Sequence, residues 1–304
     1  MKEATVVGNI NIDITFRLPR LPNYDENIQS MDSWTGIGGS AVNYSVMLSR
    51  MGWKPHLIAV AGKDANRQGV LEWLQEHGIQ TDMVRITSEE DTGKVVVLLT
   101  LDADSRTMIT YRGANTRLDA THVECRGSII HYASVNPLLV SESLGICTDD
   151  VLITYDPGGW VFRDPYGVVD AARQVDVFHV NLVEATRLEA RTGLSPEEIL
   201  GLGGRLRAVS VKKGREGAIV YSLQGVYQAY YDGLVYVEDT TGAGDSYDAA
   251  FDAVLLETGS IMEAVRYGVA AGALKVGMRG SSNMPEKKMV EKHLSHVKVL
   301  SEPS

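Results

Sequence analysis

The sequence predicts an α/β protein with a parallel β-sheet covered by helices on both faces. Two observations predict it. From about residue 128 onward, short apolar runs alternate with helix-patterned segments, as repeated βαβ units require. The 304 residues, 44% of them apolar and 22% charged, suffice to bury well over half of the unfolded surface in such a core. A third observation modifies the picture. Two β-rich stretches, about 14–35 and 94–112, break the alternation and fit a small β appendage beside the main sheet.

The elements follow in order. Residues 4–15 read as a buried strand ending in polar residues, and 16–35 carry prolines and turn formers. The glycine-rich run Gly36-Ile37-Gly38-Gly39-Ser40-Ala41-Val42-Asn43 leads into a helix with Val42, Val46 and Met51 on one side and Gly52 as its stop. Residues 57–60 predict a short strand and 68–77 a helix ending at Gly78. Residues 94–101 and 107–112 predict a hairpin turning through 102–105. Strands are expected at 128–132, 151–155, 175–180 and 208–212, with a second hairpin at 218–221 and 226–230. Helices at 245–257 and 260–277 follow. No internal repeat, low-complexity tract or long linker interrupts residues 1–304, which read as one domain.

Composition excludes several function classes. A formal net charge of −10 disfavours nucleic acid or an anionic membrane as the main partner. Two cysteines, Cys125 and Cys147, make neither a disulfide framework nor a zinc-finger spacing, which fits a reducing compartment. Met1-Lys2-Glu3 runs straight into a short apolar segment without a secretory pattern, and no apolar run approaches the roughly 18 residues of a membrane span. These features predict a soluble, cytoplasmic protein. No Gly-x-x-x-x-Gly-Lys-Ser/Thr string is present. The dinucleotide-like fit of residues 36–41 lacks both a core strand before it and a strand-ending acid about 20 positions on. His293 and His296 read as a solvated helix face, and Ser40 and Ser246 lack a nucleophile-elbow context.

The strongest chemical signal is Asp239-Thr240-Thr241-Gly242-Ala243-Gly244-Asp245-Ser246. Its glycines let the backbone approach a ligand. The helix that starts behind them presents N–H groups at its positive end. That arrangement suits the charge developing on a transferred phosphoryl group, and Asp245 in the same turn can accept the proton of an attacking hydroxyl.

This string resembles the C-terminal signature of the ribokinase-like (PfkB) carbohydrate and nucleoside kinases. Gly38-Gly39-Ser40-Ala41-Val42-Asn43 is similar to their N-terminal signature, and Gly8-Asn9-Ile10-Asn11-Ile12-Asp13 to their first strand. Asn181-Leu182-Val183-Glu184 resembles their Asn-x-x-Glu motif. Residues 211–218 resemble their nucleotide-binding strand and turn. The matches run in the family's order over nearly the whole chain. The resemblance implies a three-layer α/β/α sandwich with a small β-sheet lid, and ATP-dependent phosphorylation of a nucleoside or sugar hydroxyl.

It implies Asp245 as general base, with the backbone of Gly242, Ala243 and Gly244 as the anion hole. Asp13, Gly38, Gly39 and Asn43 would hold the acceptor. Lys212, Gly214, Gly217 and Thr241 would lie by the nucleotide. Asn181 and Glu184 would organise Mg²⁺ through water. Asp239, with the loop at 276–285, would hold a monovalent cation such as K⁺. Two departures stand out: Tyr247-Asp248 after the signature, and Asp156-Pro157-Gly158-Gly159 where many relatives have Asp-x-Asn-x-Arg, with Arg163 out of that spacing.

For the acceptor, no compact basic cluster is visible in the N-terminal half, which counts against a phosphosugar. Phe16, Trp34 and Tyr111 in the appendage could face a nucleobase. Asn23-Tyr24-Asp25-Glu26 ahead of Gly38-Gly39 resembles archaeal broad-specificity nucleoside kinases, so a nucleoside 5′-hydroxyl is the expected acceptor. Ribose, fructose or ketodeoxygluconate is the alternative. A non-catalytic metabolite-binding protein on the same fold would have no need of Asp245. The appendage can serve as a lid or as the seam of a homodimer.

Overall fold

A computed structural model describes residues 2–66, 68–101 and 106–302. The turn expected at 102–105 lies outside the described residues.

In chain order the strands are β1 (Glu3–Gly8), β2 (Asn11–Leu18), β3 (Asp32–Gly38), β4 (Lys54–Ala61), β5 (Val84–Ile86), β6 (Gly93–Thr100) and β7 (Arg106–Tyr111). There follow β8 (Ile129–Ala133), β9 (Leu152–Asp156), β10 (Val177–Asn181), β11 (Ala208–Lys212), β12 (Ala218–Ser222), β13 (Gly225–Tyr231) and β14 (Val297–Glu302). The helices are α1 (Ser40–Arg50), α2 (Val70–Glu76), α3 (Pro137–Ser143), α4 (Pro165–Ala172), α5 (Leu182–Thr192), α6 (Pro196–Gly201), α7 (Ala243–Thr258), α8 (Ile261–Lys275) and α9 (Lys287–His293).

The main sheet has the order β14-β13-β12-β11-β10-β9-β8-β1-β4-β5 among the described residues. It is parallel from β5 to β11 and antiparallel from there to β14. Strand alternation sends successive side chains to opposite faces. Val6, Leu57 and Ile129 therefore join a core with Val46 of α1, Phe251 of α7 and Val265 of α8. Val7, Ile58 and Ile130 join a second core with Val140 of α3, Val168 of α4 and Leu188 of α5. Two apolar layers flanking one sheet make the predicted three-layer α/β/α sandwich.

A second sheet, ordered β3-β2-β6-β7, is the predicted appendage. One boundary differs from expectation. Residues 4–15 are two strands in two sheets. The chain leaves the main sheet after Gly8, and β2 pairs instead with β3 and β6 from Asn11 onward. Asn115 makes this exit: its amide accepts from the Ile10 N–H at 3.0 Å and donates to the Ile10 carbonyl at 3.0 Å and to Asn11 Oδ1 at 2.9 Å. Asp13 therefore belongs to the small sheet. So does the glycine-rich run at 36–38, which ends β3 and does not follow a core strand.

Register also sorts the appendage aromatics. Thr15 pairs with Trp34, so Trp34 shares the face of Asp13, whereas Phe16 and Tyr111 (the latter opposite Lys94, itself opposite Ile12) stand on the other face. The expected three-ring platform is reduced to one ring. Among the described residues no helix is long and apolar enough to cross a membrane.

Candidate active site

The candidate site lies at the carboxyl ends of the parallel strands, where the crevice of open α/β sheets binds ligands. Asp156, Asn181 and Lys212 are the last residues of β9, β10 and β11. Over them stands the N-terminus of α7. Gly242 caps it at φ 84°, and a Cβ there would run into the Ser281 carbonyl oxygen, so the turn needs glycine. Ala243, Gly244 and Asp245 form the first turn, whose N–H groups lack helical acceptors.

Asp245 is partly buried, and its Oδ2 accepts from Asn43 Nδ2 at 2.7 Å. Burial pushes its carboxyl up to about 6, against the Asn43 bond; nearby Asp156 adds to the rise, while Lys212 and Arg106 oppose it. Asn43 Oδ1, Thr241 Oγ1 and Ser246 Oγ are buried around this turn without a partner among the described residues. Buried polar atoms are normally bonded, so three orphans beside one carboxylate suit a ligand site.

Asp13 lies across the cleft on β2 and accepts from Ser281 Oγ at 2.6 Å. Burial raises it too to about 6, with Asp239 and Asp245 adding like charge and the Ser281 bond opposing. Gly38 leaves no room for a Cβ beside the Asp13 carboxylate. Gly39, at φ 104°, abuts the Asn9 carbonyl, and α1 starts directly behind it. Asp13, Gly38, Gly39, Asn43 and Asp245 thus converge from the small sheet and two helices.

On the other side, Asn181 and Glu184 form a reciprocal cap of α5. Asn181 Oδ1 accepts from Glu184 N at 3.0 Å and Glu184 Oε2 from Asn181 N at 2.8 Å. The other Glu184 oxygen accepts from no group of the described residues. Burial raises this carboxyl to about 7, helped by Asp156 and opposed by Lys212. Two converging carboxylates, one with a free oxygen, fit Mg²⁺ with water between.

Lys212 does not extend into open space. Its Nζ donates to Asp156 Oδ2 at 2.7 Å and to both oxygens of Asp248, at 2.9 and 2.7 Å, just beneath Gly244. Burial opposes the ammonium, but Asp156, Asp248 and Glu184 outweigh it and hold Lys212 well above its ordinary value. Asp156, raised by burial alone, is pulled down to about 2 by that ammonium. The pairs continue inward. His179 reaches Asp248 at 3.1 Å and Asp252 at 2.9 Å, and Asp252 also accepts from Tyr44 and Thr154.

Gly214 and Gly217 flank the turn between β11 and β12. Gly214 faces open space, while Gly217 is packed against the Ala229 carbonyl, which alone accounts for a glycine there.

The expected monovalent-cation position is otherwise filled. Asp239 Oδ1 accepts from Thr241 N at 2.8 Å and Oδ2 from Gly280 N at 3.2 Å, joining the two loops. Between them the buried Lys275 Nζ donates to the carbonyls of Asp239, at 3.3 Å, and Met278, at 3.2 Å. A K⁺ ion at these carbonyls would meet an ammonium, so the donor set does not fit one.

Sequence reasoning missed Lys275, Ser281, Asp248 and the pairing of Arg112 with Arg163. Two of these had a legible trace: Asp248 as a polar residue after the signature, and Arg163 standing out of the expected spacing.

A sandwich with its cleft at the strand ends, a glycine-capped helix and an adjacent carboxylate defines a class of phosphotransferases. The family model described as pfkB family carbohydrate kinase matches residues 1–288, and the chain belongs to that family. It is an enzyme that phosphorylates a hydroxyl acceptor. It is 30% identical to the ATP-dependent ribose-1-phosphate kinase of Halopiger xanaduensis, covering 97% of this chain and 99% of that one. Among solved structures, the nucleoside kinase of Methanocaldococcus jannaschii matches with TM-score 0.85 at 22% identity, covering 97% and 98% of the two chains. Arabidopsis thaliana ribokinase complexed with ribose and ATP matches with TM-score 0.78 at 26% identity, covering 96% and 98%.

Proposed function

We propose that this chain transfers the γ-phosphoryl group of ATP to a hydroxyl of a ribose unit, with Asp245 as general base. The observation that carries the reading is the Asp245 carboxylate, held by Asn43 in the first turn of α7 and facing Asp13 across the cleft. Asp13, Asn43 and the Gly38-Gly39 backbone grip the acceptor hydroxyls. The attacking oxygen forms its bond to the γ-phosphorus as the bond to the β,γ-bridging oxygen breaks, its electrons leaving with ADP. The hydroxyl proton passes to Asp245, and the N–H groups of Gly242, Ala243 and Gly244 receive the charge. Glu184 and Asp156 would hold Mg²⁺ through water, and the bound ion would neutralise phosphate oxygens. ATP lies by Thr241 and the Gly214 turn. The small sheet acts as a lid that excludes water.

A nucleoside 5′-hydroxyl, the acceptor expected from sequence, draws support from Trp34 on the Asp13 face. That ring, however, already carries Arg279 at 4.0 Å and Arg17 at 5.8 Å from its centroid. The reading therefore stays with the ribose unit common to ribokinase, ribose-1-phosphate kinase and nucleoside kinase relatives.

Asp245→Asn tests it. The amide keeps the shape and the Asn43 contact but accepts no proton. Turnover should fall by about 10²–10⁴-fold while acceptor binding, measured by calorimetry, stays within a few-fold. Undiminished turnover overturns the assignment.

A further inference from the structure

Next to the acceptor face lies a cavity of about 240 Å³ whose lining includes Arg112, Arg163, Trp160, Asn9, Asn115 and Asn136. Arg112 follows β7 of the small sheet, and Arg163 follows the turn at Gly158–Phe162 beyond β9 of the main sheet. The fold brings them to one indole: their guanidinium carbons lie 5.0 and 5.5 Å from the Trp160 ring centroid. Neither guanidinium meets a carboxylate or any other acceptor among the described residues. By contrast, Arg17, Arg106 and Arg279 beside the cleft each bind an acceptor, Glu238, Thr240 and Asp32. Burial of Arg112, with Arg163 adding like charge, already lowers its affinity for its proton.

Two unpaired guanidinium groups converging on a cavity edged by asparagine amides match an oxyanion, and two cations together favour a phosphomonoester dianion over a singly charged carboxylate. The cavity is held in place relative to the proposed acceptor site. Trp160 Nε1 and Asn9 Nδ2 both donate to the Ser134 carbonyl, at 3.1 and 3.4 Å. Ser134 Oγ meets Ser40 Oγ at 3.4 Å at the start of α1. Asn9 in turn abuts Gly39. Asn43, which holds Asp245, is three residues along α1 from Ser40, roughly 5 Å of helix rise. These contacts connect the wall of the arginine cavity to the start of α1, the helix that carries Asn43 and, through it, holds Asp245.

We propose that Arg112, Arg163 and Trp160 form an anion subsite for the phosphate of a phosphorylated pentose whose free hydroxyl reaches Asp245. The product is then a pentose bisphosphate, with ADP released. The absence of a basic cluster in the N-terminal sequence does not exclude this class, because Arg163 arrives from the other half of the site. The proposal rests on the kinase reading above and narrows its acceptor.

The test measures initial rates with ATP and Mg²⁺ on ribose 1-phosphate, ribose 5-phosphate, ribose and inosine, together with titration of inorganic phosphate by calorimetry. One phosphorylated pentose should exceed ribose and inosine in kcat/KM by about 100-fold, two charge-assisted contacts being worth about tenfold or more each. Arg112→Gln and Arg163→Gln should each shrink that preference at least about tenfold, mainly through KM, and weaken phosphate binding. Arg163 is exposed, so its variant keeps the fold; unchanged thermal midpoints verify this. Phosphate should compete with the phosphorylated pentose. Preference for ribose or inosine, a preference untouched by both variants, or phosphate that binds without competing, as an effector would, each overturns the subsite. Turnover of none of the four acceptors, with phosphate still bound through the arginines, overturns the kinase reading's choice of acceptor instead.

Discussion

Two carboxyls face each other across the cleft, and both are pushed up to about 6, chiefly by burial. As the proposed base, Asp245 can take up a proton only when ionised, and Asp13, in its proposed role, would accept hydroxyls best in the same form. The acid limb of kcat/KM should therefore fall as pH drops through about 6, with a slope approaching two protons. In Asp13→Asn the slope should return to one. A wild-type profile flat from pH 7 to pH 5 would contradict the pairing. Lys275 sets a second expectation at this scale. Its ammonium already bonds the carbonyls that would hold K⁺, and burial lowers it only to about 8, so it is charged at neutral pH. Turnover should be the same in potassium and in tetramethylammonium buffers. Lys275→Met leaves two buried carbonyls unpaired, and its lowered melting temperature should be partly restored by KCl.

At the scale of elements, α7 does two things with one sequence. Its first turn faces the cleft through Gly242, Gly244 and Asp245, while Asp248 and Asp252, one and two turns on, face inward to Lys212 and His179. The helix is thus docked on β10 and β11 by charge as well as by Phe251. Removing one partner of a buried ionic cluster leaves the others unpaired. Lys212→Met strands Asp156 and Asp248 and should cost about 3–5 kcal/mol, measured by urea unfolding with the m-value unchanged. A loss below about 1 kcal/mol would mean that the cluster is solvated.

For the whole molecule, the small sheet is tied to the main body by two buried hydroxyl bonds, Ser281 to Asp13 and Ser282 to the Ile37 carbonyl at 2.6 Å each, and by more exposed arginine links. Arg17 donates to Glu238 at 2.6 Å, Arg106 donates to Thr240 Oγ1 at 2.9 Å, and Arg279 pairs with Asp32. These partly exposed links are individually weak, which suits an element that opens and closes. The double variant Arg17→Ala, Arg106→Ala should speed hydrogen exchange in β2 and β6 several-fold in the free protein, and acceptor with an unreactive ATP analogue should restore protection. Exchange unchanged by the variants would assign the sheet a static role.

The layered core and the glycine string were legible in the sequence because each depends on neighbours in the chain. Apolar alternation marks strands wherever they pair, and 239–246 carries its turn, helix start and carboxylate within eight residues. The split of residues 4–15 was not legible, since the same apolar pattern serves either sheet and Asn115, over a hundred residues away, decides where the chain leaves. Phe16 and Tyr111 could not be assigned a face without register.

The sequence by itself determined the α/β sandwich, the membership of Asp13, Asn43 and Asp245 in one ordered set of motifs, and the kinase chemistry they imply. Only the tertiary structure decided that Lys275 stands where a cation was expected, that Asp248 is a buried partner of Lys212, and that Arg112 and Arg163 meet over Trp160. Each of these is an electrostatic arrangement of groups brought together from separate segments of the chain. Its energy depends on distance and burial, which composition and spacing along the chain do not carry.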